Sequence, residues 1–200
     1  MKIEDNLLTI NPYSRSGKAL KTVKAIVIHW LANPWQSANN CRNFFESRKD
    51  GNQGYGSAHY IIGLDGYITQ CIPESEVAYH CGSSQKDPVS GKYYTDLARA
   101  KFGTYAIDYV NNSPNMATIG VEHCHIDNKG EMKQQTIEAS VELSADLCKR
   151  YGLDPMSDIL LHKDVVGWKS CHKWYVDNPN DWQTYKVLVK NKMEELNGKD

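Results

Sequence analysis

No stretch of the 200-residue sequence supplies the roughly 20 consecutive apolar residues that a membrane-crossing helix needs. The N-terminus, Met1-Lys2-Ile3-Glu4-Asp5-Asn6, lacks the basic segment and apolar core of a secretory leader. Stable membrane insertion is therefore not expected, and the chain is expected to be made in the cytoplasm and to stay soluble there. An excess of positive charge is missing too: 23 Lys and Arg stand against 24 Asp and Glu, a net charge of −1. Phosphate binding demands a basic footprint, so nucleic acid is excluded as a partner. Long-range attraction to anionic lipid is likewise absent. The sequence has no internal repeat and no low-complexity stretch, which leaves one globular unit, residues 1–200, as the organisation.

What is present fits that unit. Hydrophobic residues make up 40%, enough at this length to bury a core without disulfides. Six cysteines (Cys41, Cys71, Cys81, Cys124, Cys148 and Cys171) form an even set. Without a leader they read as reduced thiols, mostly small buried hydrophobes. Cys171 stands apart for reasons of spacing.

Residues 1–24 read as an irregular lead-in, with turn signals at Asn11-Pro12 and Ser16-Gly17. Ala25-Ile26-Val27-Ile28-His29 reads as a short buried strand ending in histidine. Residues 37–48 put Ala38, Cys41, Phe44 and Phe45 on one helical face behind Ser37 as N-cap. Two apolar runs, from His59 and from Tyr67, flank Asp65-Gly66, a hairpin signal. A polar region from about Cys81 to Pro114 reads as a long functional loop with a helix near Thr95–Phe102. Thr118–Ile126 follows as a strand whose alternation puts Glu122 and Cys124 on one face and His123 and His125 on the other. A helix over Thr136–Tyr151 stops at Gly152, a brief strand over Asp158–His162 again ends in histidine, and a last helix runs from about Asn180 to Leu196. Alternating strands and helices with one inserted hairpin predict an α/β domain: a central mixed sheet flanked by helices.

Strand ends are where such a sheet presents reactive groups. His29 and His162 both close short apolar strands, and Cys171 follows the second by nine positions. Two imidazoles and a thiolate suit zinc, and three protein ligands with one open position describe a catalytic centre. Spacing alone leaves a purely structural pair of histidines as the alternative.

The ordered set Ile26-Val27-Ile28-His29-Trp30, Ser57-Ala58-His59-Tyr60-Ile61-Ile62 with Asp65-Gly66, Ile119-Gly120-Val121-Glu122, and His162-Lys163-Asp164-Val165 closing at Cys171 resembles the type 2 N-acetylmuramoyl-L-alanine amidases, the superfamily of phage lysozyme-type amidases and peptidoglycan recognition proteins. The resemblance runs from about residue 24 to residue 190. It implies one Zn²⁺ per chain held by His29, His162 and Cys171 at the strand ends, Glu122 as general acid and base, and Lys169 as partner of the developing oxyanion. It implies hydrolysis of the bond between N-acetylmuramic acid and L-alanine in peptidoglycan. His80, in Tyr79-His80-Cys81-Gly82, and His59 fall near the expected substrate groove. Trp30 is one of five Trp, alongside twelve Tyr, whose flat faces suit sugar rings and peptide stems. A cytoplasmic amidase would act at the wall only after release, by a holin if phage-encoded.

The pattern departs from the family in three places. The gap from His162 to Cys171 is one residue longer than in many relatives, with Trp168 in the extra space. His172 stands where proline is common, so it competes as third ligand, although Trp174-Tyr175 after it looks like packing. Ala58 stands where some phage relatives carry a catalytic tyrosine, which leaves acid–base work to Glu122. Asp164 reads first as a local cap. Two other functions stay open: a peptidoglycan-binding module without catalysis, and a Cys-His endopeptidase built on Cys41 with His59 or His80. Cys41 lies near a helix start, where thiol pKa falls, but also on that helix's apolar seam.

Overall fold

The computed structural model describes residues 2–31, 33–103 and 113–198. Six strands form one mixed sheet: β1 (Ile3–Asp5), β2 (Ala25–Trp30), β3 (Tyr60–Ile62), β4 (Ile68–Gln70), β5 (Thr118–His123) and β6 (Ile159–Leu161), in the order β1-β4-β3-β5-β2-β6. Only β3 and β4 run antiparallel, joined through the Asp65-Gly66 turn. Strands β5 and β6 are shorter than the sequence suggested, whereas β2 runs one residue further, to Trp30. The mixed sheet between helices is the expected α/β fold.

The helices are α1 (Ala38–Glu46), α2 (Asp96–Phe102), α3 (Gln134–Tyr151), α4 (Pro155–Asp158), α5 (His162–Val166), α6 (Lys173–Asp177) and α7 (Pro179–Asn197). Ser37 caps α1 by accepting the Asn40 N–H, and Thr95 caps α2 by accepting from Ala98. Helix α3 ends at Gly152 with φ 64°, a left-handed C-cap that only glycine adopts without cost. Among the described residues, no helix is long and apolar enough to cross a membrane. Of the long polar region, residues 104–112 lie outside the described residues.

The lead-in is more ordered than expected. Ile3–Asp5 adds the edge strand β1, parallel to β4. Its three residues are all exposed, so no alternation betrayed it; backbone hydrogen bonds alone make the strand. Beyond it, Leu8 is buried and Arg15 grips Glu76 with two bonds of 2.7 and 2.8 Å.

The sheet's two faces have different tasks. Ile26 and Ile28 of β2 and Ile119 and Val121 of β5 pack into the main core beneath α3 and α7, with Leu143, Leu147, Trp182, Tyr185 and Val189. Ala25 and Val27 turn the other way, toward Tyr94, Ala98, Val165 and Val166 of α2 and α5. Strand alternation continues that second face through His29 on β2 and through Thr118, Gly120 and Glu122 on β5. The candidate site residues thus extend an apolar layer to the C-terminal end of parallel strands.

Candidate active site

Parallel pairing sets His29 in register with Glu122, and Ile28 in register with Leu161, the residue before His162. His29 and His162 therefore meet at adjacent strand ends, with ring centroids 4.8 Å apart. Cys171 is brought back to them by a tight reversal. Gly167 ends α5 with φ 84°, donating to the Lys163 carbonyl, and Cys171 then accepts the Lys163 N–H at 3.0 Å. Its Sγ lies 3.5 Å from His29 Nδ1, across 142 residues of sequence. Asp164 accepts the Leu161 N–H at 2.8 Å, the local capping role expected of it.

The donor atoms of His29, His162 and Cys171 all lie within 4.8 Å of one another, and no other such group occurs among the described residues. Both ring nitrogens of His162 are buried without a hydrogen-bond partner. A buried imidazole left bare costs free energy unless something fills its lone pair, and two neutral imidazoles with a sulfur are a zinc-type donor set. Burial pushes the pKa of His29 and His162 well below the usual value, keeping both in the neutral form that ligates. Burial also pushes the Cys171 thiol up to about 12. A thiolate at this position thus calls for a cation beside it. The residues fit the metal.

Glu122 is buried at the same strand end, with Oε2 lacking a partner. Burial raises its pKa to about 7, against the opposing pull of the Lys169 charge. Lys169 itself is exposed. These groups share a cleft of about 720 Å³. Its lining includes the buried His29, Glu122, His162 and Cys171 and the more exposed Phe44, Arg48, Tyr55, Tyr79, Trp168 and Lys169.

Other expected contacts fall differently. His59 is fully buried and has no nitrogen left for a ligand. Its Nδ1 accepts the Gly120 N–H at 3.0 Å and its Nε2 bonds the Glu76 carbonyl at 2.9 Å. It is a structural residue behind the cleft. His80 borders the cleft, and its nitrogens reach His29 Nε2 at 3.0 Å and Thr118 Oγ1 at 3.1 Å, so its ring turns toward the donor cluster. Trp30 contributes to the cleft lining while its ring packs on His125 at 4.7 Å and His172 at 6.2 Å. His172 lies outside the donor cluster, against His123 and Tyr175. His123 bonds Ser140 at 2.7 Å on the α3 side, as alternation required, and His125 bonds the Leu31 and Asp127 carbonyls.

Cys41 is buried with its Sγ 3.8 Å from that of Cys124, and this contact with burial pushes its pKa far up. A nucleophile needs the opposite environment. All six cysteines are free thiols.

Two residues escaped the sequence reading. Thr118 precedes Glu122 by four positions on the same strand face, a signal that period-2 counting carries. Asn115 Oδ1 accepts the N–H groups of His80 and Cys81, at 3.0 and 2.8 Å; nothing local in the sequence marks it.

Comparison with known proteins agrees with the fold. Over 94% of its length the chain is 33% identical to the N-acetylmuramoyl-L-alanine amidase BlyA of Bacillus subtilis (strain 168). It is 36% identical, again over 94%, to a probable N-acetylmuramoyl-L-alanine amidase of Bacillus licheniformis. The chain spans about half the length of these curated relatives, 47% of each. The solution structure of the PlyG catalytic domain superposes with a TM-score of 0.69 at 19% identity, covering 96% of both chains. The structure of PlyL gives 0.66 at 19% identity over 94% of this chain and 97% of that one. A family model described as N-acetylmuramoyl-L-alanine amidase matches residues 19–174, and with the donor cluster and its glutamate inside that span, the chain belongs to the N-acetylmuramoyl-L-alanine amidase family.

Proposed function

We propose that this domain hydrolyses the amide bond between N-acetylmuramic acid and L-alanine in bacterial peptidoglycan, with one Zn²⁺ held by His29, His162 and Cys171. The observation that carries the reading is the convergence of those three buried donors in the lining of a cleft that also holds Glu122 and Lys169. When bound, the zinc supplies Lewis acidity at the scissile carbonyl and a water acidified toward neutral pH.

The chain's own residues do the rest. Glu122 takes the proton of the attacking water and returns it to the departing L-alanine nitrogen. Its pKa of about 7 lets it hold and release a proton near neutral pH. Lys169, in the cleft lining, places a positive charge where the carbonyl oxygen becomes anionic. The aromatic wall of Phe44, Tyr55 and Tyr79 offers flat apolar faces to sugar rings and the stem peptide. Substrate lies at the wall, so a partner such as a holin, in a phage setting, is the proposed route of release.

The binding-module alternative needs an incomplete donor set, whereas His29, His162 and Cys171 are all present. The endopeptidase alternative needs a reactive Cys41, which burial argues against. Digestion of purified muropeptides followed by mass spectrometry tests the proposal. New L-alanine N-termini without new reducing sugar ends are expected; reducing ends or cleaved peptide bonds would reject it.

A further inference from the structure

We propose that His80 and Thr118 are positioning residues, forming a one-way hydrogen-bond chain from the Pro114 carbonyl through Thr118 and His80 to His29 that commits His29 to present Nδ1 to the metal. The inference rests on the zinc reading above and adds to it how the first ligand is oriented.

The direction of the chain follows from its far end. The Pro114 carbonyl can only accept, so at 2.9 Å the single hydroxyl proton of Thr118 goes there. Thr118 Oγ1 then has only lone pairs for its other neighbours. His80 Nε2, 3.1 Å away, must donate to it, and so must the thiol of Cys81 at 3.4 Å. A neutral His80 with its proton on Nε2 has a bare Nδ1. That atom lies 3.0 Å from His29 Nε2, which therefore carries the proton of His29. The lone pair of His29 is left on Nδ1, the atom 3.5 Å from Cys171 Sγ. The tautomer of the ligand is set by a carbonyl three groups away, a recognised way for proteins to orient metal-binding histidines.

The backbone is shaped to admit this arrangement. A Cβ at Gly120 would lie 2.5, 2.7 and 2.8 Å from Cγ, Cδ2 and Nδ1 of His80. No side chain fits between the ring and the strand. Gly120 thus leaves the space on β5 through which the imidazole crosses from Thr118 to His29. Asn115 clamps the backbone on either side of the ring by accepting from both His80 and Cys81.

Two measurements test the chain. Long-range ¹H–¹⁵N correlation spectra of ¹⁵N-histidine-labelled protein should show His80 protonated on Nε2, with and without zinc. In the zinc form they should show His29 protonated on Nε2 and metallated on Nδ1. Chelator competition should show zinc affinity falling about 10- to 100-fold in His80→Leu, the usual consequence of losing such a partner. In His80→Asn the amide oxygen reaches the position of Nδ1, so most of that loss should be recovered. Thr118→Val should lose affinity in the same direction and by less. His80 protonated on Nδ1, or His80→Leu folded and binding zinc as tightly as wild type, would overturn the inference. Should His80→Leu fail to fold, the wild-type spectra and the His80→Asn affinity decide alone. Failure of the wild type to bind one zinc per chain would reject the zinc reading instead, while the His80 tautomer in metal-free protein still decides whether the chain exists.

Discussion

His29 and Glu122 occupy the same register on neighbouring parallel strands, β2 and β5. One ends a strand as a metal-type donor and the other as a buried acid, so the sheet's hydrogen-bond ladder fixes their separation. Glu122 must be ionised to accept a proton, and burial raises its pKa to about 7. Activity should therefore fall as pH drops through that region, well above the ordinary carboxylate range. Glu122→Gln should abolish this acid limb and lower kcat by about 10²- to 10⁴-fold while leaving zinc stoichiometry at one. A variant that keeps wild-type turnover would remove Glu122 from the mechanism.

Lys169 bears on the same carboxyl through its charge. Its charge pulls the Glu122 pKa downward, so Lys169→Met should move the acid limb toward higher pH. Loss of an oxyanion partner should also reduce kcat by about 10²- to 10³-fold, with KM little changed. A pH–rate profile that loses amplitude without moving would separate the oxyanion role from the electrostatic one.

Metal removal should be felt in stability as well as in turnover. The cluster of His29, His162 and Cys171 buries the His162 imidazole with both nitrogens bare, so a chelator should lower Tm. Zinc at about a hundredfold excess over its Kd should restore roughly 2.7 kcal/mol. Cys171→Ser should bind zinc more weakly, whereas His172→Asn should retain it, because His172 packs among Trp30, His123 and Tyr175. Equal losses in both variants, read by metal analysis, would reopen the choice of third ligand.

A second, half-buried carboxylate makes a prediction about stability alone. Burial would raise the Glu74 pKa, but hydrogen bonds from Arg150, Tyr151 and Tyr60 outweigh it and hold the group down at about 2. A depressed folded-state pKa gives stability that is present above the unfolded value and lost as pH falls toward the folded one. Wild-type Tm should thus decline between about pH 4.5 and pH 2, the ordinary and the shifted values. Glu74→Gln should cost about 2 kcal/mol at neutral pH and show a shallower acid decline in thermal melts.

The elements most legible in sequence were those whose signal is local. Asp65-Gly66 announces its hairpin, and the seam of α3 with Gly152 behind it announces both helix and stop. The candidate donors were legible because each ends an apolar run or follows one at short range. Strand β1 was not, since Ile3-Glu4-Asp5 is exposed throughout and gains its place only by pairing with β4. His59 and His80 lie near the site in sequence pattern, yet their hydrogen-bond partners sit 61, 51 and 38 residues away in the chain. No window of sequence reveals which way such a ring turns.

The separation of 142 positions between His29 and Cys171 has a consequence for timing. During synthesis the sulfur emerges long after the first imidazole, and the loop joining them closes only when β2, β5 and β6 have paired. Long-range closure of this kind is slow relative to helix formation. A ribosome-bound chain therefore cannot bring the three donors together until Cys171 has emerged, so the cluster is among the last features of this domain to form.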